Sequence, residues 1–293
     1  MAASAVCGFA DDTSQQNKAN LSDTYHQITS RLENSSFGLP LILESYEQGR
    51  RMHVDVYGIF DYPFKSVADA LNIPSNWCDI VSLHPNVKAC TYEEEDSTWL
   101  LTFYIGRNIS QSLEDTHQVL CRYQNVDQQP EYQDIVLAAD NGPFGTRDHK
   151  MRFEAIPIDE GRTFVHVSYS YSDSSALRLA TNAYFSTFGR KKVGFTVIGT
   201  DKDDAPLYIG GPRGAVERSA IRYYFAIQSF MDTLHSPANH RFGLRINQWY
   251  DFTTQFRTQL FDQEKTEYLK VKTSDHAKQV RLQKQVGIGT AEL

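Results

Sequence analysis

The chain has no run of 18 or more apolar residues, so no segment of it reads as a membrane-spanning helix. It also has no excess of positive charge. A net charge of -7 at pH 7 argues against a general nucleic-acid binder, whose affinity comes from neutralising phosphates. Cysteine is scarce: Cys7, Cys78, Cys90 and Cys121, with no CxxC or Cys/His spacing typical of zinc. No metal or cofactor is expected. GxSxG and HExxH are absent as well, and no nucleophile–base pairing stands out, which leaves catalysis without a sequence signature. No internal repeat is visible.

What is present is globular in kind. Hydrophobic residues make up 41% and charged residues 22%, enough for a sizeable core. The 16 Tyr and 17 Phe serve either a plain aromatic core or a cavity lined by rings. Met1 to Ala10 are small and apolar and give way to Asp11-Asp12. This resembles the end of a secretory signal, with Gly8-Phe9-Ala10 as a small-x-small cleavage site, and points to the periplasm or the exterior. A flexible cytosolic N-terminus is the alternative. Val6 fits a lipobox poorly, so Cys7 is not expected to be lipidated. In an oxidising compartment Cys78 and Cys90 could pair; otherwise each is a small buried hydrophobe.

Along the chain, residues 1–22 read as a flexible leader or signal remnant, ahead of a short helical pattern through Tyr25, Ile28 and Leu32. Met52, Val54, Val56 and Gly58 alternate with His53, Asp55 and Tyr57, a period of two that predicts a strand. Short helices follow through Phe64–Leu71 and Trp77–His84. Segments 86–92 and 99–104 form a hairpin around the acidic turn Glu93–Asp96. Strands are expected at 118–126, 131–139, 150–158 and 162–171, a helix at 174–189, and two last strands at Val193–Ile198 and Pro206–Ile209. The strongest helix signal is Val216, Ala220, Tyr223, Ile227, Phe230 and Leu234. A further helix is expected over 240–272, with a frayed polar tail beyond Ser274.

The order of strand, two short helices, six or seven antiparallel strands and one long helix resembles the START/SRPBCC superfamily. The resemblance is sharpest over VDVYGIFDYPFKSVADALNIPSNWCDIVSLHPNVKAC, Val54 to Cys90, and spans residues 50–235. It implies an α+β helix-grip fold, a curved antiparallel sheet of about seven to nine strands gripping the long helix 215–235 around an apolar cavity. The division that follows is leader 1–22, START-like domain 23–235, and helical extension 236–293. The family spans carriers, cyclases and receptors, so the fold does not name the function. Its longer, lipid-binding members tolerate additions of this kind.

Candidate ligand contacts come from three sets. Trp77, in Asn76-Trp77-Cys78-Asp79, lines a cavity entrance or packs a short helix on the sheet. Arg107 and Arg152, with Arg178, offer guanidiniums that could pair with a ligand carboxylate or phosphate, or simply face solvent. Tyr104, Tyr169, Tyr171, Tyr184, Tyr223 and Tyr224 each join a ring to one hydroxyl; Tyr169 and Tyr171 share a strand face, and Tyr223 shares a helix stripe with Ile227. Asp79 and His84 are the acid/base candidates should the cavity be catalytic. Gly210–Gly214 opens a helix that could receive an anion, though a structural turn is the plainer reading. The expected occupant is a hydrophobic small molecule or lipid, with transient membrane contact and no nucleic acid. The alternatives are a cyclase- or hydrolase-like enzyme using the same cavity, and an interaction protein whose cavity is filled by its own side chains.

Overall fold

Alternation decides the sheet. In the computed structural model, which describes residues 7–106, 111–174, 177–179, 181, 189 and 192–289, Met52, Val54, Val56 and Phe60 are buried on one side of their strand. His53, Asp55, Tyr57 and Ile59 face the other way. This strand, β2 (Arg51–Phe60), pairs with β1 (Leu41–Gln48) across a turn in which Gly49 takes φ 62°, the left-handed region glycine tolerates. Helices α2 (Phe64–Leu71) and α3 (Pro74–Val81) follow. Then come β3 (Val87–Glu95), β4 (Thr98–Ile105), β5 (His117–Gln129), β6 (Tyr132–Asn141), β7 (Arg147–Pro157) and β8 (Thr163–Ser172).

The eight strands form one antiparallel sheet in the order β1-β2-β8-β7-β6-β5-β4-β3, open at β1 and β3. The long helix α4 (Gly211–Asp232) lies on the concave face. Its Val216, Ala220, Ile227 and Phe230 are buried, as their spacing requires. Gly58 lets it approach: a methyl group there would sit 2.1 Å from the Tyr224 hydroxyl oxygen. The result is the helix-grip arrangement, eight strands around one helix.

Several expectations are corrected. The flexible leader over 1–22 is mostly the first part of α1 (Cys7–Glu33). After Gly8 that segment contains no glycine or proline to break it, and Leu21, Ile28 and Leu32 bury against Ile42, Ile156 and Phe164 on the convex face. The strands at Val193–Ile198 and Pro206–Ile209 do not join the main sheet. They become a separate hairpin, Val197–Thr200 with Pro206–Tyr208, tied to α4 where Glu217 accepts from the Phe195 and Thr196 amides. The helix at 174–189 falls mostly outside the described residues.

The helix at 240–272 is instead two elements, α5 (Ala238–Thr254) and, after one turn at Arg257–Leu260, α6 (Lys265–Gly289). Nor is the chain beyond Ser274 a frayed tail. Trp249, Leu260 and Tyr268 enter the same core as the sheet, and α6 closes the free edge of β3. Gln279 accepts the Cys90 amide at 2.8 Å. Gln283 accepts the Tyr92 amide at 2.9 Å and donates to its carbonyl at 2.8 Å. Lys272 donates to the Val87 carbonyl at 2.7 Å. A polar sequence reads as solvent-exposed, but an unpaired strand edge needs polar partners. Cys78 on α3 and Cys90 on β3 form a disulfide with their Cα atoms 5.0 Å apart.

Candidate ligand cavity

The curvature of β4 to β8 leaves a hollow beside α4. Its wall is made by inward residues of successive strands: Phe103 and Ile105 from β4, Val119 and Cys121 from β5, Leu137 from β6, Met151 from β7. Pro143, His149, Tyr169 and Tyr223 complete it. The volume is about 530 Å³ counted to the mouth, of which about 90 Å³ admits the centre of a water molecule. The latter figure is smaller than the roughly 300–1,000 Å³ of small-molecule sites, but the lining is of their kind, mostly apolar with a few placed polar groups.

The polar groups are few. His149 bridges two hydroxyls, its Nδ1 2.7 Å from Tyr169 Oη and its Nε2 2.7 Å from Thr146 Oγ1. Burial lowers its pKa to about 4, so the ring is neutral at pH 7 and one nitrogen accepts while the other donates. Tyr171 stacks on the His149 ring at 5.5 Å. The Tyr223 hydroxyl, held up in pKa by burial, makes no hydrogen bond with any described residue. Its ring stacks on His84 at 5.2 Å. The Cys121 thiol is pushed up to about 12 by burial, which leaves it protonated and a poor nucleophile.

Of the residues singled out from sequence, Tyr169 and Tyr223 stand in the cavity wall. Trp77 does not: it is buried in the core, donates to the Leu71 carbonyl at 2.9 Å and meets Phe153 edge-on. Ile227 is fully packed and lines no open space. Strand parity puts Tyr104 on the face opposite Leu101 and Phe103. Arg152 also lies on the convex face, where Asp134 grips it bidentately at 2.8 and 2.7 Å, so its charge is already answered. Arg178 pairs with Glu47 and Asp173. Arg107 and Tyr184 lie outside the described residues. The Gly210–Gly214 stretch is a helix start whose Arg213 donates to Ser45.

The acid/base pair Asp79 and His84 does not converge on the cavity. Asp79 accepts from Arg245 at 2.6 Å. His84 is buried and its pKa lowered, by burial first and then by Arg222, Lys272 and Lys88. Sequence reading passed over Phe103, Val119, Cys121, Leu137 and Met151. Their signal was there in the alternation of four strands, but which alternate set faces a void is not written in any one strand.

No family model matches the chain, and no curated protein matches it. Among solved structures, human StAR-related lipid transfer protein 5 is similar with a TM-score of 0.36 and 11% identity, over 76% of this chain and 100% of that one. A conserved protein from Geobacillus kaustophilus gives 0.36 and 11%, over 61% and 95%. Norcoclaurine synthase from Thalictrum flavum gives 0.35 and 8%, over 49% and 87%. By its strand order, its paired short helices and its gripped long helix, the chain has a helix-grip fold.

Proposed function

We propose that the cavity holds a hydrophobic, lipid-like molecule and that the protein is a non-catalytic carrier or sensor of it. The observation that carries this reading is the Tyr223 hydroxyl, which borders a mostly apolar hollow and makes no hydrogen bond with any described residue. An unpaired hydroxyl in such a place favours a ligand with one polar atom and an apolar body, because the ligand supplies the missing hydrogen bond. The Cys78–Cys90 disulfide supports an oxidising compartment, the periplasm or the exterior. Ligand exchange by transient contact with a membrane follows from the same reading.

The test is uptake of a fluorescent fatty acid, alongside native mass spectrometry of co-purified material. Leu137→Trp places an indole in the hollow. It is expected to weaken uptake by about tenfold or more, while overpacking costs about 1–3 kcal/mol of stability. Unchanged uptake in a folded variant sinks the carrier reading. A second reading, acid/base catalysis in the same cavity, is favoured by the Thr146–His149–Tyr169 chain of hydroxyl and imidazole. Chemical conversion of the extracted ligand by the wild type, lost in His149→Gln, would select it over carriage.

A further inference from the structure

Away from the cavity, the start of β2, the end of β8 and the start of β7 meet at one corner of the sheet. Arg51 and Arg147 are both register partners of Ser172, one from each side. With Arg50 they border an open cleft of about 710 Å³. Many arginines in this chain meet a carboxylate closely: Arg122 with Asp140 at 2.7 Å, Arg162 with Asp159 at 2.7 Å, Arg222 with Asp262 at 2.6 Å. Arg50, Arg51 and Arg147 have no such partner among the described residues. Among the described residues the Arg51 guanidinium donates to the neutral Ser170 hydroxyl, at 2.7 Å.

The cleft also contains Asp148 and Asp173. Asp173 is buried, and its Oδ2 accepts from Arg178 at 3.2 Å, which answers its charge. Its Oδ1 has no hydrogen-bond partner among the described residues. Three guanidiniums therefore face one uncompensated carboxylate, that of Asp148, and one buried acceptor oxygen waits for a donor. A buried acceptor left unpaired is costly, so a group that donates to it gains.

We infer that this cleft is a binding site for a phosphate monoester carrying a neighbouring hydroxyl, the phosphate held by Arg50, Arg51 and Arg147 and the hydroxyl donating to Asp173 Oδ1. Planar guanidinium forks match the oxygens of a phosphate, and a dianion draws more from three of them than a single carboxylate does. The group can belong to a lipid headgroup or to a soluble compound. This site is independent of the apolar cavity and stands or falls without it.

Two probes separate the sources. Calorimetry of the full chain uses glycerol 3-phosphate, and vesicle flotation uses phosphatidylcholine with and without lysophosphatidic acid, which keeps a hydroxyl beside its phosphate. Binding of glycerol 3-phosphate assigns a soluble ligand as sufficient. Binding only to lysophosphatidic acid vesicles, with none to plain phosphatidylcholine, assigns a headgroup. Either must be weakened by about tenfold or more in R51Q/R147Q, since two charge-assisted contacts are removed. D148N is expected to tighten binding by about two- to threefold by removing the opposing charge at an exposed site. The proposal is overturned if neither probe binds the wild type, or if the folded double variant binds as the wild type does. Binding to a polyglutamate peptide but to neither phosphate probe overturns it too, in favour of an acidic protein partner. Should R51Q/R147Q fail to fold, D148N decides: unchanged affinity rejects the site.

Discussion

Strand β7 presents His149, Met151 and Phe153 to the concave face and Arg152, Glu154 and Ile156 to the convex one. On the concave side the wall is apolar, with hydroxyls and a neutral imidazole, and space remains. On the convex side a chain of charges is almost fully enclosed. Asp134 holds Arg152; Arg152 meets Glu154 at 3.1 Å; Glu154 accepts from Tyr132 at 2.6 Å and His166 at 2.9 Å. His166 then reaches Asp55 at 2.8 Å. Charges leave water only when each finds partners, so the convex network has no vacant position. A face lined by apolar groups can leave a hollow at smaller cost, because no desolvated charge goes unanswered. The same strands thus carry an ionic side, beside the apolar cluster that docks α1, and a side that leaves a small hollow.

Removing one member from each face separates the two most strongly. Glu154→Ala strips partners from Arg152, His166 and Tyr132 at once. It is expected to cost about 3–5 kcal/mol in urea unfolding, as for one half of a buried ion pair. Leu137→Ala, at a wall that already borders open space, is expected near the low end for its class, about 2–3 kcal/mol. Equal losses at the two positions would mean that the two faces are packed alike.

The two faces also titrate in opposite senses. Burial works against a charged His166, yet the bonds to Asp55 and Glu154 hold its pKa up at about 9. Burial also opposes charge on Asp55, but His166 and His53 bring it down to about 2. His166 is thus cationic at neutral pH. Its contribution to stability is complete below its unfolded pKa of about 6.5 and is lost as pH rises from there through 9. His149 does the reverse: with a folded pKa of about 4, its contribution is complete above about 6.5 and is lost as pH falls through 4. Each slope is bounded by about 1.4 kcal/mol per pH unit. Urea midpoints measured from pH 4 to 9.5 should lose their alkaline slope in His166→Gln and part of their acid slope in His149→Gln. Retention of the alkaline slope in His166→Gln would show that the convex network is not the titrating element.

The smallest effect belongs to the sheet edge, which neither face explains. Removing the glutamine contacts in Gln279→Ala/Gln283→Ala should cost about 1–2 kcal/mol in total, the usual net worth of such hydrogen bonds. Amide exchange at Cys90 and Tyr92 is expected to quicken while that of β7 stays slow. Unaltered exchange at both amides would mean that α6 does not guard the edge.

Much of this architecture was legible along the chain. Met52, Val54 and Val56 announced a strand by alternation, and Val216, Ala220, Ile227 and Phe230 announced the gripped helix by spacing. Those are local periods, which a sequence records directly. The turn expected over Glu93–Asp96 is tighter than that: Glu93–Glu95 belong to β3, and Asp96 and Ser97, both with positive φ, make the turn. The cavity was legible only in part, through Tyr169 and Tyr223. Arg152, Tyr104 and Ile227 were plausible contacts by residue type, but type does not tell which way a strand faces or how tightly a helix seats.

The sequence by itself determined the alternation of the strands, the apolar stripe of α4 and a residue pattern resembling a helix-grip domain. Tertiary structure alone decided which alternate set faces the hollow, since that depends on where the curved sheet and the helix fail to meet. It also decided that the polar stretch after Ser274 is an edge-sealing helix, because Gln279 and Gln283 are useful only once β3 has left its amides unpaired. Local periods are set by the geometry of one segment, whereas packing gaps, ion networks and closed edges belong to pairs of segments that meet only in the folded chain.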